Sequence, residues 1–147
     1  MNRVYVPKDS TALSLGADEV AAAFAAQGFE VIRTGSRGLF WLEPLVEVDT
    51  PAGRFGYGPV GAADVGGLVA AGIGAAGSHP LAIGLVEDHP YLKSQQRLTF
   101  KRIGVVDPAS IEDYLNHGGY VGLRNALAMS GADVVQAVTD QILAQMK

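Results

Sequence analysis

The sequence predicts an α/β fold built as a β–α–β unit, then a β-hairpin, then a helix. Three observations carry this. Strand-type segments at Arg3 to Val6 and Phe29 to Arg33 flank an apolar stripe of Leu13, Ala17, Val20 and Phe24, whose spacings of four, three and four are helical. Leu45 to Val48 and Arg54 to Tyr57 alternate on either side of the turn Thr50 to Gly53, as hairpin strands do. Ala62 to Ala71 is a run of small residues suited to a closely packed helix.

Strand, helix, strand, hairpin and helix, in that order, make the thioredoxin-like arrangement. Each element has a local cause. Pro7-Lys8-Asp9-Ser10 reads as a loop, with Ser10 or Thr11 placed to cap the first helix. Gly28 ends that helix. Thr34 to Gly38 (TGSRG) is a tight loop. After His79-Pro80 the texture changes. Leu98 to Val106 reads as a strand or an extended connector. Asp107-Pro108 reads as a helix start, with Asp as N-cap and Pro in the first turn. Ile111 to Leu115 and Tyr120 to Met129 are helical, and Ser130 to Asp133 has capping-box spacing. The last helix puts Val135, Val138, Ile142 and Met146 on one face. That face folds back onto Ile111, Leu115 and Leu123 or meets a partner, since an uncovered face of this size invites aggregation. The expected division is a domain over 1–90, followed by a linker and short helical segment over 91–147.

Composition narrows the function. The chain of 147 residues has 48% apolar residues, enough for a core. It has no cysteine, which excludes disulfides, a thiolate nucleophile and a Cys-ligated cluster. A net charge of −4 argues against nucleic-acid binding. No apolar run approaches the ~20 residues that span a bilayer, and the N-terminus lacks a secretory pattern. No membrane association and a cytoplasmic location are expected.

Several motifs have a plain reading beside a sharp one. Gly72 to Gly77 matches G-x-G-x-x-G, but it follows a helix, so a helix-ending loop is expected and not a dinucleotide site. His79 and His89 precede Pro and His117 precedes Gly-Gly; turn roles are expected, without metal-ligand spacing. No nucleophile-elbow motif supports hydrolysis. Lys93, Arg97, Lys101 and Arg102 form a basic cluster near Tyr91 and Phe100. It reads as a solvated face, as intrachain pairing, or as a docking surface for an acidic partner. Thr34 to Gly38 reads as a plain turn or as a small anion nest with Arg37. Phe40 and Trp41 read as core or interface. Arg37, Trp41, Lys93 and Arg97 are the docking candidates.

Thioredoxin-like [2Fe–2S] ferredoxin domains carry C-x4-C, with a Gly four residues later, and C-x-G-x-C-x3-P. The surroundings of both stand here. Gly16 matches the first Gly and places the missing ligands at Pro7 and Ala12. Gly38 and Pro44 match the second motif and place them at Ser36 and Phe40. The resemblance therefore implies a lost cluster, with Phe40 a candidate to plug the space. A Cys-less domain of this kind, with the segments GSRGLFWLEPLVEVDTPAGR, HPLAIGLVEDHPYLKSQQRLTF and IGVVDPASIEDYLNHGGYVGLRNAL, resembles the N-terminal portion of the beta (diaphorase) subunit of NAD-dependent molybdenum or tungsten formate dehydrogenases. The third segment is also similar to the start of the complex I flavoprotein subunit and of NAD-linked hydrogenases. The resemblance runs to about Val138. It implies FMN, NAD, Fe–S clusters and a molybdenum or tungsten cofactor in the full complex. It also implies a large molybdopterin subunit and a small [2Fe–2S] thioredoxin-like subunit as partners. In that family a flavin loop of the type GRGGAGFPTG follows. Here Asp140 to Lys147 stands instead, so no catalytic, cofactor or metal residue carries over. A fragment, a split gene product and a free-standing domain all fit, and so does an independent protein-binding adaptor. The expected role is docking without chemistry.

Overall fold

The structure, a computed structural model, describes residues 3–74 and 79–146. The chain forms two compact units, Met1–Ala109 and Ser110–Lys147.

The first unit is built on a five-stranded sheet in the order β2-β1-β3-β4-β5. Strand β1 (Arg3–Pro7) runs parallel to β2 (Glu30–Thr34), with Val4 opposite Val31. It runs antiparallel to β3 (Val46–Thr50), which forms a hairpin with β4 (Gly53–Tyr57). Strand β5 (Ala82–Leu85) adds antiparallel to β4. A parallel βαβ unit joined to an antiparallel hairpin in this order is the thioredoxin-like topology. The fold class read from the sequence is therefore present.

Two helices connect β1 to β2 where the sequence suggested one. Helix α1 (Ser10–Ser14) is capped by Asp9, whose Oδ1 accepts from Thr11 N and Ala12 N, and not by Ser10 or Thr11. Gly16 then takes φ 94°, a left-handed conformation that breaks the helix, and α2 (Ala17–Ala26) starts in a new direction. The break corrects the apolar stripe. Leu13 is exposed, whereas Ala12, Ala17, Val20 and Phe24 are buried.

Strand alternation sorts residues onto two faces of the sheet. On one face Val4, Val6, Val46 and Val48 meet Val20 and Phe24 of α2. Val65 and Leu68 of α3 (Val65–Ala70) complete this core. Phe24 stacks edge-on against Phe29, with centroids 5.5 Å apart. Burying each large side chain here stabilises the fold by roughly 1.5–3 kcal/mol. The opposite face carries Tyr5, Glu47 and Asp49, and beside it lies a small second core of Leu39, Leu45, Val86 and Leu92. Leu92 comes from α4 (Pro90–Lys93), capped by His89.

The loop after α3 holds the glycine-rich motif. Gly72 and Gly74 have φ 74° and 87°, past the end of a helix, where glycine is favoured. Ala75, Ala76 and Gly77 lie outside the described residues. Residues 95–108 contain no strand and run as turns, so the connector reading of Leu98 to Val106 is the one observed.

The second unit holds α5 (Ile111–Asn116), α6 (Val121–Leu127) and α7 (Gly131–Gln145). Ser110 caps α5 through Asp113 N, which corrects the placement of that helix start at Asp107-Pro108. Asp107 is held elsewhere: its Oδ1 accepts from Ala109 N at 2.9 Å and from Lys8 Nζ at 2.8 Å. Ser130 caps α7 through Asp133 N, at the spacing read from sequence.

Candidate functional site

The site grows from the loop that joins β2 to β3. Gly38 takes φ 83° and turns the chain so that Leu39 enters the second core. The residues that follow in the short helical turn Phe40–Leu42 then face outward. Phe40 and Trp41 are 56% and 57% exposed. Phe40 therefore plugs no interior space, which corrects that expectation. A half-exposed ring excludes little water from a cavity. Trp41 packs its ring edge-on against Tyr91, with centroids 5.3 Å apart and planes at 88°, and lies near His89. The close fit of this turn is visible at Gly58, where an added Cβ would sit 2.5 Å from the Leu42 carbonyl oxygen.

Arg37 turns the other way, into the polar face of the sheet. Its Nε donates to Glu47 Oε1 at 2.8 Å and its Nη2 to Oε2 at 2.7 Å, a bidentate pair. Its Nη1 reaches Glu87 Oε1 at 2.8 Å. Burial pushes the guanidinium toward losing its proton, but Glu47 and Glu87 outweigh it, so Arg37 is held charged. Arg54 extends the network, bonding Asp49 Oδ1 at 2.8 Å while it lies over the Tyr5 ring. Tyr5 donates to Asp49 Oδ2 at 2.7 Å. Arg37 is buried and paired with two carboxylates. It holds the loop to the sheet, with its guanidinium committed to Glu47 and Glu87.

The four positions implied as lost cluster ligands have separate fates. Pro7 and Ala12 are buried. Ser36 donates its hydroxyl to Glu43 Oε1 at 2.6 Å and accepts from Gly38 N at 3.0 Å. Glu43 also accepts from Leu45 N at 2.9 Å, and its burial raises the carboxyl above the usual range against these two bonds. Phe40 is on the surface. A hydroxyl already committed to a carboxylate, a buried proline, a buried alanine and an exposed phenyl ring do not fit an iron–sulfur cluster, and no redox step is assigned to them. Among the described residues no group of three His, Cys, Asp or Glu side chains is arranged to hold a metal ion. No helix among them is long and apolar enough to cross a membrane.

The basic segment closes one side of the site. Residues 95–108 pass across Arg37 so closely that a Cβ at Gly104 would collide with its side chain. Arg97 pairs with Glu87, Lys93 with Asp88 at 3.0 Å, and Lys8 with Asp107. Between this segment and the Ser36–Phe40 loop lies an open groove of about 290 Å³, lined by Ser36, Phe40, Tyr91, Gln95, Arg97 and Phe100, among others. Trp41 borders it through Tyr91. Thus Arg37 and Arg97 line the groove and Trp41 borders it through Tyr91, while Lys93 pairs with Asp88 and is not among the lining residues. The histidines take turn roles. His79 Nδ1 accepts from Leu81 N, His89 Nδ1 accepts from Tyr91 N, and His117 Nδ1 lies 2.8 Å from the Asp113 carbonyl.

Sequence reasoning missed the groove itself, together with Glu43, Glu47 and Arg54. The signal for the ion network was the alternation of Glu47 and Asp49 with Val46 and Val48, which places both carboxylates on the face away from the main core.

The topology defines a thioredoxin-like fold, in a chain that has no cysteine. The solved thioredoxin-like [2Fe–2S] ferredoxin from Aquifex aeolicus matches 57% of this chain and 97% of its own, at 24% identity and a TM-score of 0.47. A cysteine-to-serine variant of that ferredoxin gives the same identity and TM-score over 99% of its length. In sequence, the chain is similar to the NADP-reducing hydrogenase subunit HndC of Solidesulfovibrio fructosivorans, 44% identical over 46 residues. That stretch is 31% of this chain and 9% of the hydrogenase subunit, so the match spans a small part of its relative. No family model matches the chain.

Proposed function

We propose that this chain is a thioredoxin-like docking portion of the flavoprotein (diaphorase) side of an NAD(P)-linked oxidoreductase complex. It does no chemistry of its own. The observation that supports this best is the fate of the site. Three of the four implied ligand positions, Pro7, Ala12 and Ser36, carry buried or committed side chains, while the fourth, Phe40, is turned to solvent with its neighbour Trp41. A domain that held an iron–sulfur cluster would need ligating side chains converging at those four positions.

The finer reading is the beta subunit of an NAD-dependent formate dehydrogenase, working in the cytoplasm. Formate would be oxidised at a molybdenum or tungsten centre in a large subunit, with electrons passing through Fe–S clusters and FMN to NAD+. The segments quoted from 35–54 and 79–100 support this reading. The similarity to HndC favours a second one, a hydrogenase diaphorase. In either setting the chain would hold the flavoprotein against its neighbours.

Affinity isolation of the tagged chain from its native cells, with partners identified by mass spectrometry, tests the proposal. A flavoprotein recovered with a molybdopterin subunit is the expected result, and a flavoprotein with a hydrogenase subunit would select the second reading. Recovery of the chain alone would overturn both. A flavin absorption spectrum from the isolated chain would overturn the assignment of no chemistry.

A further inference from the structure

We propose that residues 95–108 form a releasable strap over the Ser36–Phe40 loop, one that opens in one piece while the five-stranded sheet stays folded. The inference goes beyond the docking reading and does not depend on it. Its first support is how the strap is attached. The strap contains no strand, and the main-chain hydrogen bonds at its centre are local. Ile103 N donates to Phe100 O at 3.1 Å, and Val105 N and Val106 N donate to Arg102 O at 3.0 and 3.3 Å. Ion pairs tie it near both ends. Arg97 reaches Glu87 Oε2, and Asp107 Oδ1 accepts from Lys8 Nζ at 2.8 Å. Glu87 is shared: its Oε1 accepts from Arg37 at 2.8 Å, so one carboxylate joins the strap to the buried network. All four side chains in these two end ties keep contact with solvent, and pairs open to solvent weaken as salt rises.

The second support is the middle of the strap. Gly104 is the one buried residue of 95–108 and takes φ 76°. It lies on the Arg37 side chain so closely that an added Cβ would collide with Cδ and Nε. Arg37 is fixed by its bidentate bonds to Glu47, so the seat is held by the sheet while the strap is keyed to it through one small residue. A segment with so little burial and no ladder of hydrogen bonds opens before the core of a fold does. Its opening has a defined consequence. Gln95, Arg97, Phe100 and Ile103 form one wall of the groove, facing Ser36, Arg37, Gly38 and Phe40. Release of the strap removes that wall and uncovers Arg37 and the loop beside it.

Limited trypsin digestion of the full chain, with the cut sites read by mass spectrometry, tests the inference. Lys101 and Arg102 lie exposed in the strap, and proteolysis follows the population of the opened segment. The synthetic peptide LTFKRIGVV, the sequence of residues 98–106, controls for the effect of salt on the protease. Relative to that peptide, cleavage after Lys101 and Arg102 should rise about threefold or more between about 0.05 and about 0.5 M salt. Arg33 and Arg54, in the sheet, should stay uncut over the same period. Lys8→Gln removes the ion pair at one end, and should raise cleavage at low salt about threefold and shrink the salt response. Gly104→Ala should raise cleavage roughly tenfold or more, with a melting temperature close to that of the parent. Cleavage that responds neither to salt nor to Lys8→Gln would overturn the inference. So would cutting at Arg33 and Arg54 in step with Lys101, because the segment would then open only with the whole fold.

Discussion

Phe24, Leu39, Leu68 and Leu92 of the first unit are fully buried, whereas Val135, Val138, Ile142 and Met146 of the second are 52–77% exposed. Both regions have the sequence periodicity of amphipathic elements. The difference lies in what stands opposite the apolar face. In the first unit a sheet offers two faces, and α2 and α3 cover one of them. In the second there are only three short helices, and Ile111, Leu115 and Leu123 remain exposed as well. Of the two alternatives read from the sequence, folding back onto those residues or meeting a partner, the exposure of both sets leaves the second as a proposal. Local caps at Ser110 and Ser130 define the helices, but caps contribute only about 1 kcal/mol each. Helices shorter than ~12–15 residues are marginal in water without packing. The contrast teaches that amphipathic pattern reports which face wants cover and says nothing of who supplies it.

The comparison can be broken most sharply at Arg37. Arg37→Ala would leave Glu47 buried without its bidentate partner, and a loss of about 3–5 kcal/mol is expected in urea unfolding. A loss below about 1 kcal/mol would mean that the ion network holds little. Phe24→Ala should cost a similar or slightly smaller amount, about 3–4 kcal/mol, through the cavity left beside Phe29. The matched change in the second unit, Ile142→Ala, should alter stability by less than about 0.5 kcal/mol, since no packing is lost from an exposed site. If Ile142→Ala destabilised the isolated monomer as Phe24→Ala does, the contrast between the units would fall.

A smaller effect sharpens the account of the remodelled loop. Burial raises the Glu43 carboxyl, while Ser36 and Leu45 act downward. A carboxyl raised in the folded state favours folding when protonated. That contribution is complete below the ordinary glutamate range and is lost as pH rises through the raised value. Glu43→Gln should therefore melt higher than the parent near about pH 8, by roughly 1 kcal/mol, and lose the advantage near about pH 4. An advantage independent of pH would exclude titration of Glu43 as its cause.

Much of the first unit was legible because its signals are local. Strand alternation, the hairpin turn and the small-residue helix each depend on neighbouring residues. Gly16 was legible as a motif residue but not as a break, because a helix stripe survives one glycine on paper. Strand β5 was missed since Ala82 to Leu85 is short and does not alternate. It becomes a strand only because β4 presents a free edge. The site was legible in part. Gly38 and Pro44 pointed to the loop beside the groove, which Arg97 lines and Trp41 borders through Tyr91. Arg37 looked like a surface cation because its partners, Glu47 and Glu87, lie 10 and 50 residues away. No local pattern joins them.

Hydrogen exchange of the chain, alone and then within the complex recovered from cells, tests the central claim most directly. Alone, β1, β3 and α2 should be protected while the α7 amides exchange fast. In the complex, α7 and residues 40–41 and 91–103 should slow together. Protection of α7 in the isolated monomer, or no change at either surface in the complex, would contradict the account of this chain as a docking module.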